Sequence, residues 1–419
     1  MPTGSAINTR PSTHESSPTE PVSGRRRVAH ARGFWMIAVA FLAVMAFSTV
    51  PTPLYSIYQA RDGFPTWMVT VIFGAYAVGV AASLYLVGHI SDWAGRRPMV
   101  LVAVALELLA AVMFVVWQDV PGLLVARFIS GVGVGALTAT ATAHLSELRA
   151  AARPGGGAGT SAAVSTVANI GGLALGPLIG GILAQFAPAP LLTPYLVFLV
   201  ILALAVVGVA LTPETVQRAA QRPAYRPQRL VLPAEGKAEF SAAGAGVFAA
   251  FGVFGLFTAL APTLLAGQFG VTSRVAAGLV PFAVFASAAI AQLVLARLTL
   301  RRQLLLAVTS MVVGLVALAA SVLVGSLVLF VVAGVVAGAG VGLLFRASLG
   351  VAGSLAVGPE RGGVLAALFL VAYVGLAVPV FAVGLALSVL SPVVTLVGFV
   401  LIVGALVVLA GTRMVRRTA

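Results

Sequence analysis

The stretch Pro121–Leu137, PGLLVARFISGVGVGAL, can be laid over Val328–Leu344, VLFVVAGVVAGAGVGLL, so that Gly131, Gly133 and Gly135 fall on Gly338, Gly340 and Gly342. The offset, 328 less 121, is 207 residues, about half the chain. At nearly the same offset the basic pair Arg96–Arg97 corresponds to Arg301–Arg302, each pair standing before the preceding apolar run. Self-similarity over half a chain is the mark of a duplicated bundle, with both halves in one orientation.

Working outward, the chain of 419 residues is 60% hydrophobic and only 9% charged, and its mean hydropathy is +1.09. Soluble domains carry roughly a quarter charged residues, so water alone is not its solvent. Runs near the roughly 20 apolar residues that cross a bilayer recur along the chain. Twelve are expected, at 34–55, 67–88, 98–117, 121–143, 161–184, 191–211, 241–265, 275–298, 303–323, 326–349, 364–386 and 393–411. Backbone groups in hydrocarbon must be satisfied internally, so the expectation is an all-α membrane protein of two six-helix bundles. The first bundle takes 33–211 and the second 240–411. They are joined by a linker at 212–239 and flanked by tails at 1–32 and 412–419. Residues 1–32, rich in Ser, Thr, Pro and Arg without an apolar run, read as a disordered tail.

Charge sets the orientation. Basic residues beside membrane helices favour the cytoplasm. With both termini inside, all 25 basic residues except Arg61, Arg274 and Arg127 lie on the cytoplasmic side or its membrane boundary. The linker carries Arg218, Arg222, Arg226, Arg229 and Lys237 but only Tyr225 to stack on a base, so nucleic acid is not expected as a partner. Lys237 is the single lysine, which with the Ala, Gly and Val content points to a bacterial coding bias and a cell (inner or plasma) membrane. The absence of Cys excludes disulfides and thiol chemistry. The histidines His14, His30, His89 and His144 are scattered, so neither a metal nor another cofactor is expected.

Three motifs stand out. GHISDWAGRRP, Gly88–Pro98, offers Gly88, Asp92, Gly95, Arg96 and Arg97 between the second and third spans. Its glycines allow a tight turn, and Asp92 can face loop amides or a positive helix end. RFISGVGVG, Arg127–Gly135, places a guanidinium inside a span at a cost of roughly 2.5–3.5 kcal/mol, so Arg127 needs a polar interior and a partner. Glu107 is expected as that partner, since the two differ in depth by only about 5 Å. An interhelical pairing role is the competing account of Arg127. GGLALGPLIGG, Gly171–Gly181, sets Gly172, Gly176 and Gly180 on one flat face, while Pro177 leaves the Leu173 carbonyl without its helical donor.

The first motif resembles the loop between helices two and three of the major facilitator superfamily, with Trp93 where that family more often has a basic residue. Arg127 and its glycines resemble the family's helix-four motif, linked to proton coupling. Gly171, Gly172, Gly176, Pro177, Gly180 and Gly181 resemble the antiporter motif of its drug and proton exchangers. YVGLAVPVFAVG, Tyr373–Gly384, is a faded counterpart in span eleven. The resemblance implies a gate at Asp92 that meets the start of helix eleven near Gly362, and proton coupling through Arg127 and Glu107. It also implies a cavity between the halves, with Thr49, Tyr55, Tyr76, Thr138, Asn169, Phe254, Thr258, Phe285 and Tyr373 on its walls.

Such a lining suits a lipophilic or amphipathic compound, and without a charged cluster an anionic substrate is not expected. The implied function is proton-coupled efflux of small hydrophobic molecules by a monomer in the bilayer. An uptake symporter or facilitator for a small neutral solute is the alternative, and a polytopic receptor or scaffold stands further off. An enzyme is not expected, because clustered catalytic groups are missing.

Overall fold

The computed structural model describes residues 28–417, apart from 89, 156, 217–224, 226, 229, 231, 233–235 and 357–359. Most of the tail 1–32, His14 and His89, and Arg218, Arg222, Arg226 and Arg229 of the linker therefore lie outside the described residues. Among the described residues, twelve helices are long and apolar enough to cross a membrane. They are α1 His30–Asp62, α2 Thr66–Leu86, α3 Arg96–Val116, α4 Val120–Ala152, α5 Ala158–Phe186, α6 Thr193–Leu211, α7 Lys237–Phe269, α8 Arg274–Val294, α9 Leu300–Leu323, α10 Leu327–Ser354, α11 Glu360–Ala386 and α12 Pro392–Arg416. An even number of crossings puts the start of α1 and the end of α12 on one face, the terminal face.

Local chemistry starts and stops these helices. Asp119 caps α4 by accepting from the Gly122 N–H at 3.0 Å, and Ser273, Thr299 and Ser326 do the same for α8, α9 and α10. Gly63 and Gly270 end α1 and α7 at φ of +70° and +66°, a region glycine enters without penalty. Those two glycines are again 207 residues apart.

The repeat seen in sequence is a repeat of packing. In the first bundle α1 touches α4, α5 and α6, α4 touches α2 and α3, and α3 touches α6. In the second, α7 touches α10, α11 and α12, α10 touches α8 and α9, and α9 touches α12. The glycines explain why. A Cβ on Gly131 would sit 2.1 Å from the Tyr76 carbonyl oxygen of α2, and one on Gly133 would sit 2.9 Å from the Glu107 carboxylate of α3. On α10, a Cβ on Gly338 would meet Val284 of α8 at 2.4 Å and one on Gly340 would meet Met311 of α9 at 2.7 Å. Alternate glycines thus let one helix approach two neighbours closely, where packing rather than hydrophobicity holds membrane helices together.

The central helices are shielded and the outer ones face lipid. The most apolar window of α7 is 83% buried and that of α6 only 33%. Leu196, Val200 and Leu204 of α6, with Leu401 and Ile402 of α12, present exposed apolar surface, as a bilayer solvent allows.

The two bundles meet where α5 crosses α8 and α2 crosses α11. These contacts lie toward the face away from the termini. A Cβ on Gly278 would stand 2.1 Å from the Pro177 carbonyl oxygen, Thr70 packs on Gly384, and Arg274 donates to the Ala184 carbonyl at 2.8 Å. That face is sealed.

Candidate functional site

Between the bundles lies a cavity of about 70 Å³. Ligand pockets commonly measure roughly 300–1,000 Å³, so this one is small. The first bundle supplies a largely polar wall: Ser48 and Thr49 from α1, Tyr76 from α2, Arg127 and Thr138 from α4, and Asn169 from α5, with Met45, Phe73, Ile170 and Leu173 between them. The second bundle supplies an aromatic wall of Phe251, Phe254, Phe285, Phe345, Phe369 and Tyr373, with Thr258 and Leu376. Phe254 and Phe285 stand 4.3 Å apart by ring centroids, and Phe251 contacts Phe345 at 5.3 Å and Tyr373 at 5.8 Å.

Of the wall residues expected from sequence, Thr49, Tyr76, Thr138, Asn169, Phe254, Thr258, Phe285 and Tyr373 all reach the cavity. Tyr55 does not. It is buried just beyond a break in α1, because Pro51 and Pro53 lack the N–H groups that would bond the Phe47 and Thr49 carbonyls. The chain turns through a 3₁₀ segment, Thr52–Leu54, and resumes as helix at Tyr55. An unbroken span 34–55 had hidden this change of direction. At the same register of the second bundle, α7 passes through a π turn at Leu256–Leu260 that carries Thr258 to the cavity. A further π turn at Val167–Gly171 brings Asn169 there from α5. Neither turn has a sequence signal beyond nearby Pro or Gly.

Arg127 is 1% exposed and lies over the Tyr76 ring at 4.8 Å and the Phe73 ring at 5.7 Å. Its Nη1 donates to the Ser48 carbonyl oxygen, at the end of the first segment of α1. Its Nε is buried without an acceptor.

The expected ion pair with Glu107 is not formed. No carboxylate oxygen among the described residues lies within 4.0 Å of the guanidinium. Glu107 is 0% exposed and packs between α3 and α4 against Gly133. The Ser130 hydroxyl lies beside it, and neither group completes a hydrogen bond of normal geometry. A depth difference of about 5 Å allowed the pair, but Arg127 turns toward α1 and α2 while Glu107 faces the α3–α4 seam.

The Gly171–Gly181 motif does two jobs. Gly172, Gly176 and Gly180 lie on α1, where a Cβ on Gly176 would stand 2.0 Å from the Ala46 carbonyl oxygen. Gly181 faces the opposite bundle, with the Arg274 carbonyl oxygen 2.4 Å from where its Cβ would be. Gly171 is different: it meets only the Val167 side chain at 3.6 Å, because it closes the π turn rather than the packed face.

At the terminal face, a short helix Ser91–Ala94 ends at Gly95, whose φ is +107°. The Asp92 carboxylate pairs with Arg96 at 2.5 Å and is 64% exposed. Arg96 also pairs with Glu147 of α4 at 3.2 Å and donates to Ser91. Glu214, just past α6, accepts from the Arg96 and Arg97 backbone N–H groups at 3.0 and 3.1 Å and so caps α3. Gly88 lies one residue past Val87, with the Leu84 carbonyl oxygen 2.8 Å from its Cβ position. Sequence reading missed Glu147 and Glu214, since nothing local ties them to a loop so distant along the chain.

A model of the Major Facilitator Superfamily matches residues 66–378. The chain belongs to the Major Facilitator Superfamily. Among curated relatives of this superfamily, an uncharacterized MFS-type transporter, Rv1250, of Mycobacterium tuberculosis is 28% identical over 156 residues. YfiU of Bacillus subtilis, also an uncharacterized MFS-type transporter, is 26% identical over 156 residues. Each match covers 36% of this chain, and the matches span 25% and 29% of the relatives' own lengths. Among solved structures, the human organic anion transporter MFSD10 (TETRAN) aligns with a TM-score of 0.64 and 17% identity, covering 93% of this chain and 100% of that one. A point mutant of the nucleoside transporter NupG aligns with a TM-score of 0.70 and 11% identity, covering 91% and 98%. At such identities the superfamily fold is what is shared.

Proposed function

We propose that this superfamily member is a secondary active transporter that exports small hydrophobic or amphipathic molecules in exchange for protons. The observation that carries the proposal is the cavity between two like bundles, polar on one wall and aromatic on the other. Two rigid bundles that rock about such a site expose it to each side in turn. The seal of α5 on α8 and α2 on α11 accounts for one closed end, and separation at the terminal face opens the other.

In this proposal the terminal face is cytoplasmic, in a bacterial inner or plasma membrane, with 33–211 and 240–411 as the moving bodies of a monomer. Gly88, Asp92, Gly95, Arg96 and Arg97 form the gate, closing against α11 when the cavity faces outward. Proton coupling runs through Glu107, a buried carboxyl with no ion-pair partner within 4.0 Å among the described residues, and through Arg127, which ties α4 to α1. The Gly176–Pro177 face supplies the slide between α1 and α5.

The test is a panel of lipophilic dyes and aromatic acids, amides and amines, presented to inverted vesicles with and without an imposed proton gradient. Gradient-dependent accumulation of panel members supports the proposal. Gradient-independent equilibration assigns a facilitator instead, and no movement of any compound rejects transport of this class.

A further inference from the structure

Resting on the transport proposal, we infer that the central cavity selects lipophilic organic monoanions, an aromatic body carrying one carboxylate or sulfonate held by Arg127. This reverses the expectation drawn from sequence, where one arginine was set against a presumed acidic partner. With Glu107 turned into the α3–α4 seam, the cavity wall carries one cation and, among the described residues lining it, no carboxylate.

The guanidinium is under-compensated. It has five N–H donors, and the one protein acceptor it meets is the Ser48 carbonyl, while Nε is buried with none. The Tyr76 and Phe73 faces add cation–π attraction. That does not replace the hydrogen bonds an ion loses on leaving water. An oxyanion supplies what is missing, because the planar fork matches a carboxylate or sulfonate through two parallel hydrogen bonds. A single cation balances a single negative charge, so a dianion brings one charge too many. A second cation beside Arg127 is repelled in a water-poor site. The facing wall, with Phe254 and Phe285 in contact at 4.3 Å, takes up the apolar body.

The experiment uses the purified full chain and three tritiated probes of nearly equal shape: 2-naphthoate, 2-naphthamide and 2-naphthylmethylammonium. Naphthoate is expected to bind at least about tenfold more tightly than either of the others, a step of roughly 1.4 kcal/mol. In Arg127→Gln that preference falls to within about twofold, with naphthamide binding little changed, and Arg127→Lys keeps an intermediate preference because the charge remains without the fork. Thermal melts report whether each variant is folded, and the wild-type ranking needs no variant. Tighter binding of the amide or the ammonium, or an unchanged preference in folded Arg127→Gln, overturns the anion assignment and leaves the transport proposal standing. Failure of all three probes to bind also overturns it, and the vesicle panel then decides whether transport falls with it.

Discussion

The Thr49 hydroxyl of α1 donates to the Leu173 carbonyl oxygen of α5 at 3.1 Å, the carbonyl that Pro177 deprives of its helical donor. One missing N–H in α5 is thus replaced by a side chain from the helix packed on it. The same hydroxyl also meets the Ala46 carbonyl at 3.1 Å, and Gly176 leaves room for it. Thr49 is at once a cavity wall residue and the pin of the α1–α5 crossing.

Thr49→Val removes the donor while keeping the shape, so it should cost about 1 kcal/mol, the scale of polar contacts between membrane helices. Thr49→Ser should restore most of it. Denaturation of the purified variants in mixed micelles measures both, and an undiminished Thr49→Val would show that the Leu173 carbonyl tolerates being unpaired.

Glycines at helix crossings should be intolerant in proportion to the contact. Gly176→Ala and Gly131→Ala each push a methyl group to about 2 Å from a carbonyl oxygen of a neighbouring helix, at 2.0 and 2.1 Å. Overpacking of this kind costs typically 1–3 kcal/mol or more, visible as lower melting temperature and poor yield. Gly74→Ala is the control, since its Cβ meets nothing within 4 Å, and its melt should match the wild type.

Glu214 should matter to stability and Asp92 to rate. Glu214→Ala uncaps the Arg96 and Arg97 N–H groups, with an expected loss of roughly 0.5–2 kcal/mol. Asp92→Asn leaves Arg96 held by Glu147 and Ser91, so its melt should be unchanged while vesicle transport slows. Equal effects of Asp92→Asn on melt and on transport would assign Asp92 to structure alone.

Glu107 offers a separation of stability from coupling. A buried carboxyl without a hydrogen-bond partner carries a desolvation cost of about 1–3 kcal/mol, so Glu107→Met should melt higher than the wild type. Glu107→Gln should keep the fold and lose proton-linked flux, read with a pH-sensitive dye in proteoliposomes. Proton-linked flux at wild-type level in Glu107→Gln removes this residue from the coupling scheme.

Much of the architecture was legible because lipid imposes a simple rule: a crossing needs a long apolar run, and its helix satisfies its own backbone. Glycine spacing at Gly131, Gly133 and Gly135 carried the duplication, and Pro177 carried the need for a donor at Leu173. The donor itself, Thr49, is 124 residues away, and no local pattern names it. Phe345 and Phe369 escaped notice for a related reason. In a bilayer, apolar side chains occupy lipid-facing and inward positions alike, so the polarity pattern that orients a soluble helix is weak here.

The amino-acid sequence alone determined the number of crossings, their duplication and the residue types available to the cavity. These follow from composition and spacing, which act along the chain. Tertiary structure alone decided which way Arg127 points. Rotation of α4 against α1, α2 and α3 gave it the Ser48 carbonyl and the Tyr76 ring and left Glu107 on another seam. A helix sequence sets depth at 1.5 Å per residue, but azimuth is settled by which small residues let which neighbour come close, and that is a property of the packed whole.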